Sequence, residues 1–290
     1  MNIATFTWAT NMTLGRWLAG DIGPITLAAA RFLIASLLFA ALLWRRPPSE
    51  RRVGRDRWLL LGMGLSGVAI FGPVLYLGLR FTTTVNATLI NGLGPLITGL
   101  LAGFLIREPM SRRQITGALA GLIGVAVVIS GGDPALWRSV QGNIGDLIIL
   151  GAIALWSTYS VLARQATRRR SALSATAFST FFGLPFLLLA AVWEIRYLPV
   201  AWRPDMILTI IYIGTVPAVI GFVSWNEGVR RLGASGAMIF YNTLPLYGAL
   251  LGHLFLREPI TWAHLLGGAL IIGGGLWATR GHVSPRSHEM

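Results

Sequence analysis

The chain has no cysteine and no lysine, and only 11 acidic residues among its 290. The first absence excludes disulfides, thiolate metal sites and cysteine nucleophiles. The shortage of charge excludes more. Charged residues make up 12% of the chain and hydrophobic ones 54%, whereas a soluble domain carries about 25% charged residues. Mean hydropathy is +0.65. A surface kept in water needs more charge than this, so the composition is that of a membrane protein. A spanning helix takes about 20 apolar residues, so ten spans would use roughly 200 residues and leave roughly 90 for loops.

Ten apolar stretches with polar boundaries are present, at about 3–18, 25–44, 58–79, 85–106, 114–130, 144–163, 173–194, 206–226, 235–256 and 262–279. Runs such as Leu59-Leu60-Leu61 and Leu187-Leu188-Leu189 do not alternate, which argues for helices and against a membrane barrel. The first stretch lacks a basic segment before it, so no cleavable leader is read there.

All 24 basic residues are Arg, giving a net charge of +13. On a soluble chain that excess would point to nucleic acid. Here the Arg sit in short clusters between apolar runs, and they record orientation instead. Alternate loops collect 17 Arg on one side, beginning with Arg45, Arg46, Arg51, Arg52, Arg55 and Arg57, against six on the other. The bias places both termini in the cytoplasm. Arg31 belongs to neither side, because it lies about seven residues into the second span.

The chain repeats itself. Arg107-Glu108-Pro109 recurs as Arg257-Glu258-Pro259, and a gapless offset of 150 over residues 87–124 gives ten identities in 38 positions, Pro95/Pro245 among them. Trp8 and Arg16 match Trp156 and Arg164 at an offset of 148. Each half, 1–132 and 133–290, holds five predicted helices. An odd number inserts the second half upside down, an arrangement used by many secondary transporters around a midplane cavity. These motifs, with an early Trp in each half, Pro in spans 4 and 9, an Arg-Glu-Pro turn and a Gly-rich fifth helix, resemble the EamA-type drug/metabolite transporter superfamily. The resemblance covers essentially the whole chain, nearest to its amino-acid exporter branch. It implies an all-α protein with a central cavity, in a bacterial inner membrane, exporting amino acids (aromatic ones among them), related metabolites or organic-cation drugs. It implies no cofactor, no metal and no nucleic-acid partner. The expected unit is a monomer, with a dimer left open.

Polar and aromatic groups within the spans are the candidates for substrate binding, since buried amides and phenols need partners in lipid. They are Trp8, Asn11, Tyr76, Asn91, Trp156, Tyr159, Trp225, Tyr241 and Asn242. Tyr76 and Trp225, near span ends, also suit an interfacial belt. Pro95 and Pro245 would bend their helices and serve as flexing points. Gly at spacings of four, as in Gly117/Gly121 and Gly248/Gly252, suits close helix packing. Arg31 would hold a substrate carboxylate, pair with a helix end or Glu258, or snorkel to the outer surface. His253, whose repeat counterpart is Gly103, is a candidate for coupling to protons. Mid-span carboxylates are lacking, so facilitated efflux stands beside proton antiport. Gly64-Leu65-Ser66-Gly67 has the form of an intramembrane serine protease motif, with His253 or His264 as a base. That enzyme reading lacks the five-plus-five repeat. A scaffold and a channel complete the alternatives.

Overall fold

A computed structural model of the chain describes residues 1–106, 111–133, 143–200, 202–241 and 243–279. Those residues form helices and no strand. Helices α1 (Asn2–Trp17) and α2 (Pro24–Trp44) open the chain. Next, α3 spans residues 57–81, with a wider π-helical turn at Leu65–Ile70 between two α-helical parts. α4, residues 84–106, is interrupted by a 3-10 turn at Asn91–Leu93. α5 (Arg112–Ile129), α6 (Ile144–Ala166) and α7 (Ala172–Glu194) follow. α8 begins at Pro204 and carries a second π turn at Val216–Gly221. It runs as far as Gly233, whose φ of 78° and ψ of 168° break the helix. α9 covers residues 234–256 with a break before Leu244, and α10 is Trp262–Thr279.

Six helical stretches among the described residues are long and apolar enough to cross a membrane, and Leu244–Leu256 and Trp262–Ala278 are shorter apolar helices. The other two are less apolar for local reasons. α1 carries buried Thr5, Thr7, Asn11 and Thr13, and α5 starts on Arg112, Arg113 and Gln114. The outer surface is apolar, with Phe104 85% and Leu189 74% exposed, as lipid contact requires. The chain is an integral, all-helical membrane protein.

Contacts recur in pairs between the halves. Arg16 Nη1 donates to the carbonyls of Leu79 (2.8 Å) and Arg80 (3.0 Å). Its counterpart Arg164 donates to those of Val229 (3.4 Å) and Arg230 (3.0 Å). In both cases a cation satisfies carbonyls near the end of a helix, where the last four lack partners. α5 and α10 lie antiparallel in close contact. A Cβ added to Gly117 would strike the Gly274 carbonyl, and one added to Gly124 would lie 2.6 Å from that of Gly267. Backbones that approach so closely tolerate no side chain there.

The prolines depart from expectation. Pro95 directly follows the 3-10 turn Asn91–Leu93 inside span 84–106, whose backbone stays helical at Asn91 and Gly94, whereas Pro245 is the second residue of a new helix, Leu244–Leu256. In a first turn the missing N–H has no helical partner to lose. α9 is therefore a discontinuous helix, while α4 tightens at its 3-10 turn without breaking. Pro185 does lie inside continuous α7, and Pro217 falls in the π turn of α8.

Candidate functional site

A small cavity lies beside the 3-10 turn of α4, the break in α9 and the residues that follow the π turns of α3 and α8. Its walls come from α1 (Trp8, Asn11, Met12), α2 (Arg31), α3 (Phe71, Leu75), α4 (Asn91), α6 (Trp156), α8 (Phe222) and α9 (Tyr241, Leu244). Its volume, about 20 Å³, has room for about one water. A larger hollow of about 620 Å³, lined by Phe6, Tyr212 and Phe255 among others, opens at the periphery beside exposed Phe255.

Equivalent side chains of the two halves meet at the cavity. Trp8 stands edge-on to Trp156, ring centroids 4.9 Å apart, and Tyr241 Oη donates to Asn91 Oδ1 at 3.1 Å. Trp156 also stacks on Tyr159 at 4.9 Å and 22°. Trp225 lies 5.3 Å from Trp8 and 5.4 Å from Tyr241, and Phe222 packs edge-on to Trp156 at 5.2 Å. Such edge and offset contacts suit the ring quadrupoles. Indole donors differ in their fate. Trp8 Nε1 donates to the Pro217 carbonyl (3.2 Å) and Trp225 Nε1 to Ser160 Oγ (3.3 Å), whereas buried Trp156 Nε1 has no acceptor among the described residues.

A second recurring unit joins α1 to α3 and α6 to α8. Tyr76 Oη donates to Asn11 Oδ1 at 2.6 Å, and Asn226 Nδ2 donates to Tyr159 Oη at 2.6 Å. Asn11 corresponds to Tyr159 and Tyr76 to Asn226 in the repeat register, so the same pair occurs with its members exchanged. Tyr76 and Trp225 are buried, at 2% and 0% exposure; they are core groups and not an interfacial belt. Close packing depends on two glycines, Gly221 and Gly67. A Cβ on Gly221 would lie 2.7 Å from Trp8 Nε1, and one on Gly67 would strike the Tyr159 ring.

Arg31 is 1% exposed, so it does not snorkel. Its Nη1 donates to Tyr76 Oη at 3.2 Å and weakly to Asn11 Oδ1 at 3.4 Å. Its guanidinium lies 4.7 Å from the Phe32 ring centroid and 5.5 Å from that of Phe222. Glu258 is not its partner. That carboxylate accepts from Thr84 N (2.9 Å) and Val85 N (3.0 Å), capping α4. Glu194, which drew no attention as a span end, caps α2 through Ile25 N (3.1 Å) and Thr26 N (2.6 Å).

His253 is exposed and stands 3.0 Å from the Glu258 carbonyl through Nδ1, away from the cavity. Ser66 donates to the Gly62 carbonyl at 2.7 Å, and His264 engages Asn86 and Thr261. Neither histidine therefore activates that serine. Asn242 and the Arg107-Glu108-Pro109 turn lie outside the described residues. Met12, Phe71, Leu75, Phe222 and Leu244 line the cavity without having been predicted, because apolar residues in apolar spans carry no distinguishing signal.

Many apolar helices packed around a site of aromatic, aliphatic and amide side chains with one cation define a polytopic membrane protein. The sequence matches the EamA-like transporter family over residues 1–130 and 143–280, and the chain belongs to that family. It is 27% identical over 281 residues to the uncharacterized transporter YyaM of Bacillus subtilis, covering 96% of this chain and 92% of that one. Identity is 25% to a probable terminal-alkyne amino-acid exporter of Streptantibioticus cattleyicolor (97% and 95% covered). It is also 25% to the aromatic amino acid exporter YddG of Ancylobacter novellus (95% and 94% covered). A solved crystal structure superposes with a TM-score of 0.68 at 26% identity, covering 96% of this chain and 94% of the other. The chain is a transporter and not an enzyme.

Proposed function

We propose that the protein exports amino acids, aromatic ones among them, by alternating access across a bacterial inner membrane, with both termini in the cytoplasm. Residues 1–132 and 133–290 would be two five-helix repeats inserted in opposite directions. The observation that carries this reading is the cavity itself, where Trp8 meets Trp156 and Asn91 meets Tyr241. A carrier site between rocking halves requires contributions of that kind from both. Trp8, Asn11, Tyr76, Asn91, Trp156, Tyr159, Trp225, Tyr241 and Asn242 form the proposed substrate set. Names of relatives that include amino-acid exporters support the substrate class.

As it stands the cavity has room for about one water. An amino acid enters only when the aromatic cluster parts, and the 3-10 turn of α4 before Pro95 and the break of α9 before Pro245 are where that bending falls. No lining residue is acidic, and His253 lies outside the cavity. Passage down the substrate's own gradient therefore suits the site better than proton exchange. Counterflow of labelled amino acids into preloaded proteoliposomes, with and without a pH gradient, tests the reading. Saturable counterflow indifferent to the gradient is expected. Absence of counterflow for every amino acid would overturn it.

A further inference from the structure

Arg31 is a buried charge that forms no ion pair among the described residues. It is 1% exposed and lines the cavity, and its only hydrogen bonds among the described residues are the two from Nη1 to neutral oxygens. Its Nε is buried without any acceptor. No described carboxylate lies within 4 Å of it, and the cavity walls hold no acid. Glu194 packs near the start of the same helix, but its carboxylate is occupied at Ile25 and Thr26, about 8 Å of helix rise away.

Removing a guanidinium from water is costly unless something opposite in charge joins it. The neighbours here hold the group without neutralising it. Asn11 and Tyr76 fix one edge, Phe32 and Phe222 flank it, and the remaining N–H donors have no acceptor among the described residues. Two free donors on one planar fork match the two oxygens of a carboxylate. We infer that Arg31 is the subsite for a substrate carboxylate, so that the cavity selects small carboxylic acids and rejects organic cations. The apolar part of such a substrate would replace the aromatic contacts around Trp8, Trp156 and Phe222. An ammonium group, where one is present, finds only neutral aromatic faces and the Asn91–Tyr241 pair, and is not required. This inference rests on the exporter reading for its route into the cavity, but the chemistry it assigns is narrower.

The test uses the purified full chain in phosphatidylethanolamine/phosphatidylglycerol vesicles. L-Phenylalanine counterflow is competed by phenylpropionate, which lacks the ammonium, and by phenethylamine, which lacks the carboxylate. Phenylpropionate should compete within about tenfold of phenylalanine, and phenethylamine at least tenfold more weakly, the scale of a charge-assisted hydrogen bond. Arg31→Lys should keep that order and Arg31→Gln should abolish it. Phenethylamine competing as well as phenylpropionate, or an order unchanged in Arg31→Gln, would overturn the subsite while leaving the exporter standing. A wild-type chain with no phenylalanine counterflow would count against the aromatic-amino-acid reading. The subsite is then decided by thermal stability of the chain in detergent: stabilisation by phenylpropionate alone supports it, and stabilisation by neither compound, or by both, refutes it.

Discussion

Glu258 offers a perturbation whose size follows from counting its partners. Its carboxylate is 7% exposed and accepts the N–H groups of Thr84 and Val85 at 2.9 and 3.0 Å. Those donors begin α4 and have no partner within their own helix. Glu258→Ala leaves both buried and unsatisfied, and each such group costs about 1–3 kcal/mol. A loss of about 2–6 kcal/mol is expected. Glu258→Gln keeps one acceptor and turns an amide N–H₂ toward the other donor, so about half of that is expected. Gly252→Ala approaches the same contact from the opposite side, since a Cβ there would lie 2.6 Å from Glu258 Oε2 and would push the carboxylate off its donors. Equilibrium unfolding in mixed micelles should rank wild type above Glu258→Gln, and Glu258→Gln above Glu258→Ala, with Gly252→Ala below wild type. A Glu258→Ala loss under about 0.5 kcal/mol, inside the range of unremarkable surface changes, would show that the carboxylate does not cap α4.

Three further changes follow. Gly124→Val should separate α5 from α10, because its Cβ alone would lie 2.6 Å from the Gly267 carbonyl; loss of folded, monodisperse protein on size exclusion is expected, and normal behaviour would refute the close crossing. Tyr159→Phe should be mild, about 1 kcal/mol, since Asn226 Nδ2 keeps its second bond to Thr176 Oγ1 at 2.7 Å; a loss above about 3 kcal/mol in the same unfolding assay would contradict that. Ser66→Ala removes only a hydroxyl bonded to a carbonyl of its own helix, so counterflow should match wild type, and abolished flux would call for a role the geometry does not give it.

The helical class and the composition of the interior were readable because lipid makes them so: apolar runs must be long, and polar groups within them must face inward. Trp8, Asn11, Asn91, Trp156 and Tyr241 stood out as polar or aromatic groups at repeat positions, and the structure gathers them at one cavity. Other features had no such mark. A π turn leaves no compositional trace in Leu65–Ile70, and Pro245 reads the same at a helix start as in a kinked interior. Glu194 looked like a boundary residue because its partners, Ile25 and Thr26, are distant in sequence. The pairing of Gly117 with Gly274 also crosses the repeat register, which aligns Gly117 with Gly267, so similarity between the halves could not reveal which glycines touch.

The halves share a frame but not a charge. Gly64 closes on the Ser179 carbonyl, its Cβ position 2.5 Å away, and Gly214 closes on that of Arg31 at 3.0 Å. With Gly64 and Gly214 equivalent at an offset of 150 and Arg31 and Ser179 at 148, Ser179 occupies in the second half the place of Arg31 in the first. Around them the Asn–Tyr pair is retained with its members exchanged, so one half presents a cation held by Asn11 and Tyr76. The other presents only neutral hydroxyl and amide groups. A symmetric frame with equivalent sites would hold a ligand equally well in two orientations. Arg31, with no ion pair among the described residues, removes that degeneracy, because a carboxylate placed beside Ser179 loses the charge-assisted bonds available beside Arg31. Transferring the charge tests this directly: an Arg31→Ser chain should lose the preference for phenylpropionate over phenethylamine, and adding Ser179→Arg should restore it. A double variant that folds but shows no preference would mean that the frame around Arg31, and not its charge alone, makes the site.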